Sequence, residues 1–272
     1  MSSHQDMRFG IVLTPRSGGE WTSGVQRAEE QGYGTVLLPD TLFTPSPFPT
    51  LAAAAAVTTT LRLRPNVLAA PLRTTAALVR ETTALQMLSD GRFELGLGTG
   101  RPEARGEAEQ LGMPWGSGAD RRRQVIEAIA AVRAQVRPAP PMVVAASGPR
   151  MLAVAAEYAD RVHLAVDPAT PESGLAEIVA AVRDRTDRVV SFTLQLVGVG
   201  TALPYFVTAR LGHTADSLRG AGAAALLPAD PEESAALLTH YREKYGIDEL
   251  LVPGELASAF EPVLAHLRSI RG

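Results

Sequence analysis

The residues with the most chemical potential in this chain stand where short apolar runs stop. Positions 91–101 read GRFELGLGTGR, in which Phe93, Leu95 and Leu97 alternate with Glu94, Gly96 and Gly98 at the two-residue period of a strand. The run passes into a glycine-dense turn, where backbone can approach a ligand closely and bare N–H groups beside Arg101 make a candidate anion site. Other apolar runs end in comparable chemistry: Thr14, Pro15 and Arg16; Asp40 and Thr41; Ala69 and Ala70; Ser147 and Gly148; Asp167; Gly198 and Gly200. Small residues and helix starts of this kind suit a flat ring carrying a phosphate. Neither a nucleophile–base pair nor a cluster of histidines and carboxylates stands among them, so no metal is expected. The pattern points to a protein that holds a cofactor bringing its own chemistry.

Those ends need elements to carry them. Apolar runs at 8–13, 35–39, 61–70, 93–98, 142–146, 161–166, 189–199 and 249–252 read as strands. Helical patterns lie between them at 22–31, 49–60, 75–88 and 120–136, and another opens at Ser147-Gly148-Pro149; 101–119 reads as a polar loop. Repeated βα units in a chain of 272 residues predict an α/β fold: one (β/α)8 TIM barrel, a single domain over 1–272. The seventh unit is irregular. Helical patterns at 204–211 and 232–245 flank a glycine-containing segment at 218–228, so an insertion after strand seven is expected. In such a barrel the chemistry belongs at the mouth where the strands end.

Composition narrows the class. The net charge of −3 argues against nucleic acid or an anionic membrane as the principal partner, and the absence of cysteine excludes disulfides and thiol chemistry. The first seven residues are polar, and the longest apolar run, 51–57, is too short to cross a bilayer. A soluble cytoplasmic enzyme acting on a small molecule is the expectation.

Four segments together, RFELGLGTGR, NVLAAPLRTTAALVRETTALQMLSDG, VLLPD and VVAASGPRML, resemble the luciferase-like superfamily of TIM barrels, whose members use FMN or the deazaflavin coenzyme F420. The likeness runs from Arg8 to about Ala165, with an echo in HYREKYGIDELLVPG, and its style is most similar to the F420-dependent branch. It implies an F420-dependent reductase or dehydrogenase, with hydride passing between the deazaflavin C5 and an activated C=C or C=N bond, in secondary metabolism. An FMN-dependent monooxygenase is the alternative, and a non-catalytic flavin-binding barrel a third reading. Homodimers are common in the family, so the resemblance implies a homodimer here as well.

The resemblance also implies positions. Asp40 stands where the deazaflavin branch places an acid near the ring, but Thr41 replaces the histidine that usually follows, so the two are the candidate catalytic pair. Asn66-Val67 aligns with a non-prolyl cis peptide behind the ring. Thr99-Gly100-Arg101 stands where sugar dehydrogenases of the branch have Thr-Gly-Glu, which turns the expectation from sugar oxidation toward a phosphate or acidic substrate. Ser147-Gly148-Pro149 matches the loop holding the cofactor phosphate at a helix N-terminus. With Ala69, Gly98 and Ala146 these complete the candidate cofactor site. Simpler readings stand beside them: Asp40 paired with Arg16, Ser147 as a helix cap, His163 as a core histidine, Arg121-Arg122-Arg123 as a solvated face, and Trp21 and Trp115 as packing residues rather than covers for the ring.

Overall fold

The computed structural model describes residues 7–269; the polar stretch 1–6, and with it most of the leader reading, lies outside the described residues. Its strands are β1 (Arg8–Val12), β2 (Thr35–Leu38), β3 (Arg62–Pro65), β4 (Leu68–Ala69), β5 (Leu95–Gly98), β6 (Met142–Ala146), β7 (Arg161–Leu164), β8 (Ser191–Gln195), β9 (Gly198–Val199), β10 (Leu226–Leu227) and β11 (Ile247–Pro253). The helices are α1 (Gly18–Glu30), α2 (Pro47–Val57), α3 (Thr75–Leu88), α4 (Ala104–Gln110), α5 (Gly118–Gln135), α6 (Pro149–Tyr158), α7 (Glu172–Arg183), α8 (Ala215–Gly220), α9 (Pro231–Tyr245) and α10 (Ala257–Ser269).

All pairings in the main sheet are parallel, in the order β3-β2-β1-β11-β8-β7-β6-β5-β4. β3 and β4 are two halves of the third barrel strand, interrupted at Asn66-Val67. A bridge between Leu63 and Phe93 joins β3 back to the approach to β5 and closes the ring. The expected eight-stranded α/β barrel is therefore present.

Alternation along each strand sorts the residues into two compartments. Val36, Leu38, Leu63, Leu97, Val144, Val162, Leu194 and Leu250 face outward and pack with Val25, Leu51, Leu78, Ile129, Leu152, Val179, Leu238 and Phe260 of the surrounding helices. Each fully buried aliphatic side chain of this kind stabilises the fold by about 1.5–3 kcal/mol. The residues between them turn into the lumen; a Cβ on Gly10 would sit 2.6 Å from Leu37 and 2.9 Å from Leu251.

Several element bounds shift from the sequence reading, and three differences bear on the site. Helix α1 starts four residues early, because the Ser17 side chain accepts from the Glu20 N–H and caps it. The seventh strand ends at Gln195. Beyond it the Val197 N–H bonds to the Ala225 carbonyl, and β9 pairs with β10 in a separate two-stranded sheet, so Gly198 and Gly200 do not mark a barrel-strand end. The segment read as a polar loop after β5 contains α4, a short helix with Ala104, Glu107 and Ala108 buried. The insertion after strand seven is present and holds β9, β10 and α8, with a π-helical turn at Phe206–Arg210.

Candidate functional site

At the end of β2 the Asp40 residue is buried, and both its side-chain oxygens are engaged. Arg73 holds it bidentately at 2.8 and 3.0 Å, and the Ala69 N–H donates to it at 3.0 Å. Its ionic partner is Arg73 rather than Arg16. The carboxylate thus ties the second strand to the turn leaving the third. Thr41 closes its own turn: its hydroxyl accepts from the Phe43 N–H at 3.1 Å and lies 3.3 Å from the Thr44 hydroxyl.

On the third strand the Asn66-Val67 peptide is cis. The Asn66 amide nitrogen donates across the lumen to Gln195 Oε1 at 3.0 Å, while its Oδ1 is buried without a hydrogen-bond partner. The Val67 side chain packs on the β5 glycines. A Cβ on Gly98 would lie 3.0 Å from it, and one on Gly96 would lie 2.3 Å from the Pro65 carbonyl. Close approach of the third strand therefore demands glycine at 96 and crowds any side chain at 98, a structural reason the sequence reading did not supply.

Beyond β5, Thr99 is half-buried and Gly100 has φ +82°. Trp115 lies against Gly100, where an added Cβ would be 2.7 Å from the indole ring. The Arg121 guanidinium stacks 4.4 Å from the Trp115 ring centroid. Arg101 is not a free cation. It pairs with the buried carboxylate of Glu107, lies 3.8 Å from Glu103, and donates to the Asp40 carbonyl at 3.3 Å. Of the tryptophans, Trp115 belongs to this region; Trp21 lies in α1, buried, with its indole N–H bonded to the Thr50 carbonyl at 2.7 Å.

β6 ends in Ala146, which is buried, and the exposed residues Ser147, Gly148 and Pro149 follow. Gly148, not Ser147, is the N-cap of α6, and no side chain caps that helix. Its N-terminus therefore keeps uncapped dipole-aligned N–H groups in a solvent-open position, and nothing lies within 4 Å of where a Gly148 Cβ would sit.

A family model described as a luciferase-like monooxygenase matches residues 7–242. The chain belongs to that family. One relative of this luciferase-like protein is the F420-dependent glucose-6-phosphate dehydrogenase of Beutenbergia cavernae, 37% identical over 116 residues, a stretch covering 39% of this chain and 34% of that enzyme. Among solved structures, the coenzyme F420-dependent tetrahydromethanopterin reductase of Methanopyrus kandleri superimposes with a TM-score of 0.70 at 16% identity, covering 96% of this chain and 97% of that one. A riboflavin lyase with modified FMN and riboflavin superimposes with a TM-score of 0.76 at 17% identity, covering 98% and 92%. These likenesses establish the fold.

The mouth of this luciferase-like barrel fits a ring cofactor with a phosphate on two counts. The uncapped start of α6 offers an anion seat, and the orphaned Asn66 Oδ1 leaves an acceptor unused beside the cis peptide. Among the described residues there is no group of three or more His, Cys, Asp or Glu side chains that could hold a metal ion.

Below the mouth lies a charged lumen layer that the sequence reading missed. Arg64 bridges Glu94 at 2.9 Å and Glu249 at 2.6 Å, and Thr193 donates to Glu249 at 2.6 Å. Arg8 and Arg62 add to Glu94, and Arg161 pairs with Asp248. Burial by itself raises the Glu249 pKa, but the guanidiniums of Arg64, Arg161 and Arg8 outweigh it and hold the carboxyl well below the usual range. His163, on β7, keeps some solvent contact, yet enclosure in the lumen and then the charge of Arg64 push its pKa down to about 4, against an opposing pull from Glu249. The sequence signals it in the i, i+2 spacing of Arg62 and Arg64, which puts two charges on one face of a strand, and in the alternation of Glu94 with Phe93 and Leu95.

Proposed function

We propose that this protein is an F420-dependent oxidoreductase that transfers a hydride between the deazaflavin C5 and an activated C=C or C=N bond of a small molecule, in either direction. The observation that carries the reading is the uncapped, open N-terminus of α6 at a barrel mouth in which Asp40, the acid at the second strand end, is fully engaged by its own neighbours. A mouth of this kind provides seating rather than a nucleophile. The 116-residue match to an F420-dependent dehydrogenase supports the choice of deazaflavin.

Bound there, the deazaflavin supplies the hydride chemistry. Ser147 and the backbone around Gly148 and Pro149 would hold its phosphate at the helix N-terminus. Ala146 ends the strand behind them. Asn66 and Val67, with Gly98 across from them, would form the wall behind the ring, and the unpartnered Asn66 Oδ1 would be free to accept a hydrogen bond there. Thr99 and Gly100, under Trp115, would border the ring at the fourth strand end. Asp40 is a positioning residue: through Arg73 and the Ala69 N–H it fixes the second and third strand ends relative to each other. Thr41 shapes the turn that follows. Arg101 secures the fourth strand end through the Asp40 carbonyl.

Titration of the apoprotein with F420 and with FMN, followed by tryptophan quenching, tests the reading. Micromolar F420 binding, at least about tenfold tighter than FMN, is expected. The reverse preference overturns the proposal and moves the protein to FMN-dependent chemistry.

A further inference from the structure

Arg101 is the guanidinium closest in sequence to the glycine turn, and in a bare barrel mouth it would attract anions. Here α4 returns a carboxylate to it. Glu107 is 5% exposed, and its backbone is pinned by the buried Ala104 and Ala108 on the same helix. One Glu107 oxygen meets Arg101 Nη2, while Glu107 Oε2 and Arg101 Nε are both buried without hydrogen-bond partners. The Arg101 side chain is 31% exposed, but its Nη2 is committed to Glu107, its Nη1 to the Asp40 carbonyl, and its Nε is buried. An external anion therefore meets a guanidinium whose charge Glu107 already neutralises, and displacing Glu107 would leave that carboxylate buried and unpaired. The neighbouring guanidinium, Arg73, is likewise spent on Asp40.

Apolar side chains accompany this neutralised floor. Leu42 and Phe43, in the loop after β2, are 42% and 92% exposed; Leu111, just after α4, is 48% exposed; Tyr205 and Leu211, in the insertion after strand seven, are 66% and 52% exposed. All of them belong to connections that follow barrel strands, at the end where Asp40 and Arg101 sit. Exposed apolar side chains on the loops at the mouth end favour apolar ligands there.

We infer that Glu107 is an internal counter-ion that closes the Arg101 anion site, so that the mouth selects a neutral, apolar substrate and rejects acidic or phosphorylated ones. This rests on the proposed oxidoreductase reading only in calling the occupant a substrate. It replaces the sequence-based expectation that Arg101 grips an anionic group. Glu107 is a specificity-determining residue acting through Arg101, a role distinct from contact with the reacting atoms.

The test uses a matched pair of fluorescent probes on the apoprotein: N-phenyl-1-naphthylamine, which is neutral, and 8-anilinonaphthalene-1-sulfonate, which adds a sulfonate to the same skeleton. The unaltered protein should bind the neutral probe more tightly, and L42S/F43S should weaken that binding several-fold. In a W21F background Trp115 is the sole tryptophan and reports on the fourth strand end. There Glu107→Gln should tighten inorganic phosphate binding by about tenfold, because it frees a charge-assisted donor set. Phosphate seated at α6 is common to both proteins, so the difference between them reads Arg101. R101M/E107M should show no such gain. A preference of the unaltered protein for the sulfonated probe, or equal phosphate binding by the parent and a folded E107Q, overturns the inference. If E107Q does not fold, the probe preference of the unaltered protein decides alone. No cofactor is present in these titrations, so failure of F420 binding and failure of this inference are read separately.

Discussion

Replacing Asp40 by Asn keeps the side-chain shape and removes the charge that Arg73 answers. Asp40 accepts three N–H groups, from Ala69 at 3.0 Å and from Arg73 at 2.8 and 3.0 Å. The side chains of the pair are 6% and 15% exposed, so the interaction is mostly shielded from water. Removing one partner of a buried pair costs about 3–5 kcal/mol. Residual exposure of Arg73 and the acceptor retained by Asn place D40N below that range, at about 2–3 kcal/mol. Arg73→Met leaves Asp40 with the single Ala69 N–H and should cost about 3 kcal/mol for the same reason. Because each side chain acts through the other, the double variant should lose less than the sum, by about 1.5–3 kcal/mol. Chemical denaturation followed by circular dichroism measures all four corners of the cycle. F420 titration of the same proteins should show D40N and R73M weakening binding to similar extents, as expected if both loosen the same two strand ends. A coupling energy below about 0.5 kcal/mol would refute the positioning argument, as would a D40N protein of unchanged stability with selectively abolished turnover.

Two further outcomes follow from the lumen and the glycines. His163 should titrate near pH 4 when its ring protons are followed by NMR. Since its folded pKa lies below the ordinary value of 6.5, the unfolded chain binds the extra proton first, so wild-type stability should fall as pH drops from about 6.5 to about 4. H163Q should flatten that part of the stability profile, and an unchanged slope would count against the assignment. Gly96→Ala drives a Cβ to within 2.3 Å of the Pro65 carbonyl and should destabilise the barrel by about 1–3 kcal/mol, whereas Gly148→Ala meets nothing within 4 Å and should leave stability within about 0.5 kcal/mol while weakening F420 binding at the start of α6. Thermal unfolding and the cofactor titration together separate the two.

What the sequence made legible was what local chemistry decides. The helix at Thr75–Leu88 and the strand at Met142–Ala146 match the sequence reading residue for residue, the helix because the Thr74 side chain caps its start on the Ala77 N–H. Helix α4 was missed because ARGEAEQ presents no apolar stripe; two buried alanines and the Arg101–Glu107 pair hold it, and both are tertiary. The site shows the same division. Asp40 was placed at its strand end by pattern, but its partner Arg73 lies 33 residues on, and no local rule chooses Arg73 over Arg16.

The lumen marks the limit most sharply. Charges at Arg62, Arg64 and Glu94 alternate with Leu63, Phe93 and Leu95, the signature of a strand with one face in the core and one in water. Closing the sheet inverts that inference. The polar face of each strand becomes the inside of a ring, where Arg64 is 1% exposed and Glu249 is fully buried. Charges that a flat sheet would leave solvated must then neutralise one another, and the Arg64 bridge between Glu94 and Glu249 does so with one guanidinium spanning two strands. The strand period gives which residues share a face. Only the closure, through Leu63 and Phe93, decides that this face sees other charges instead of water.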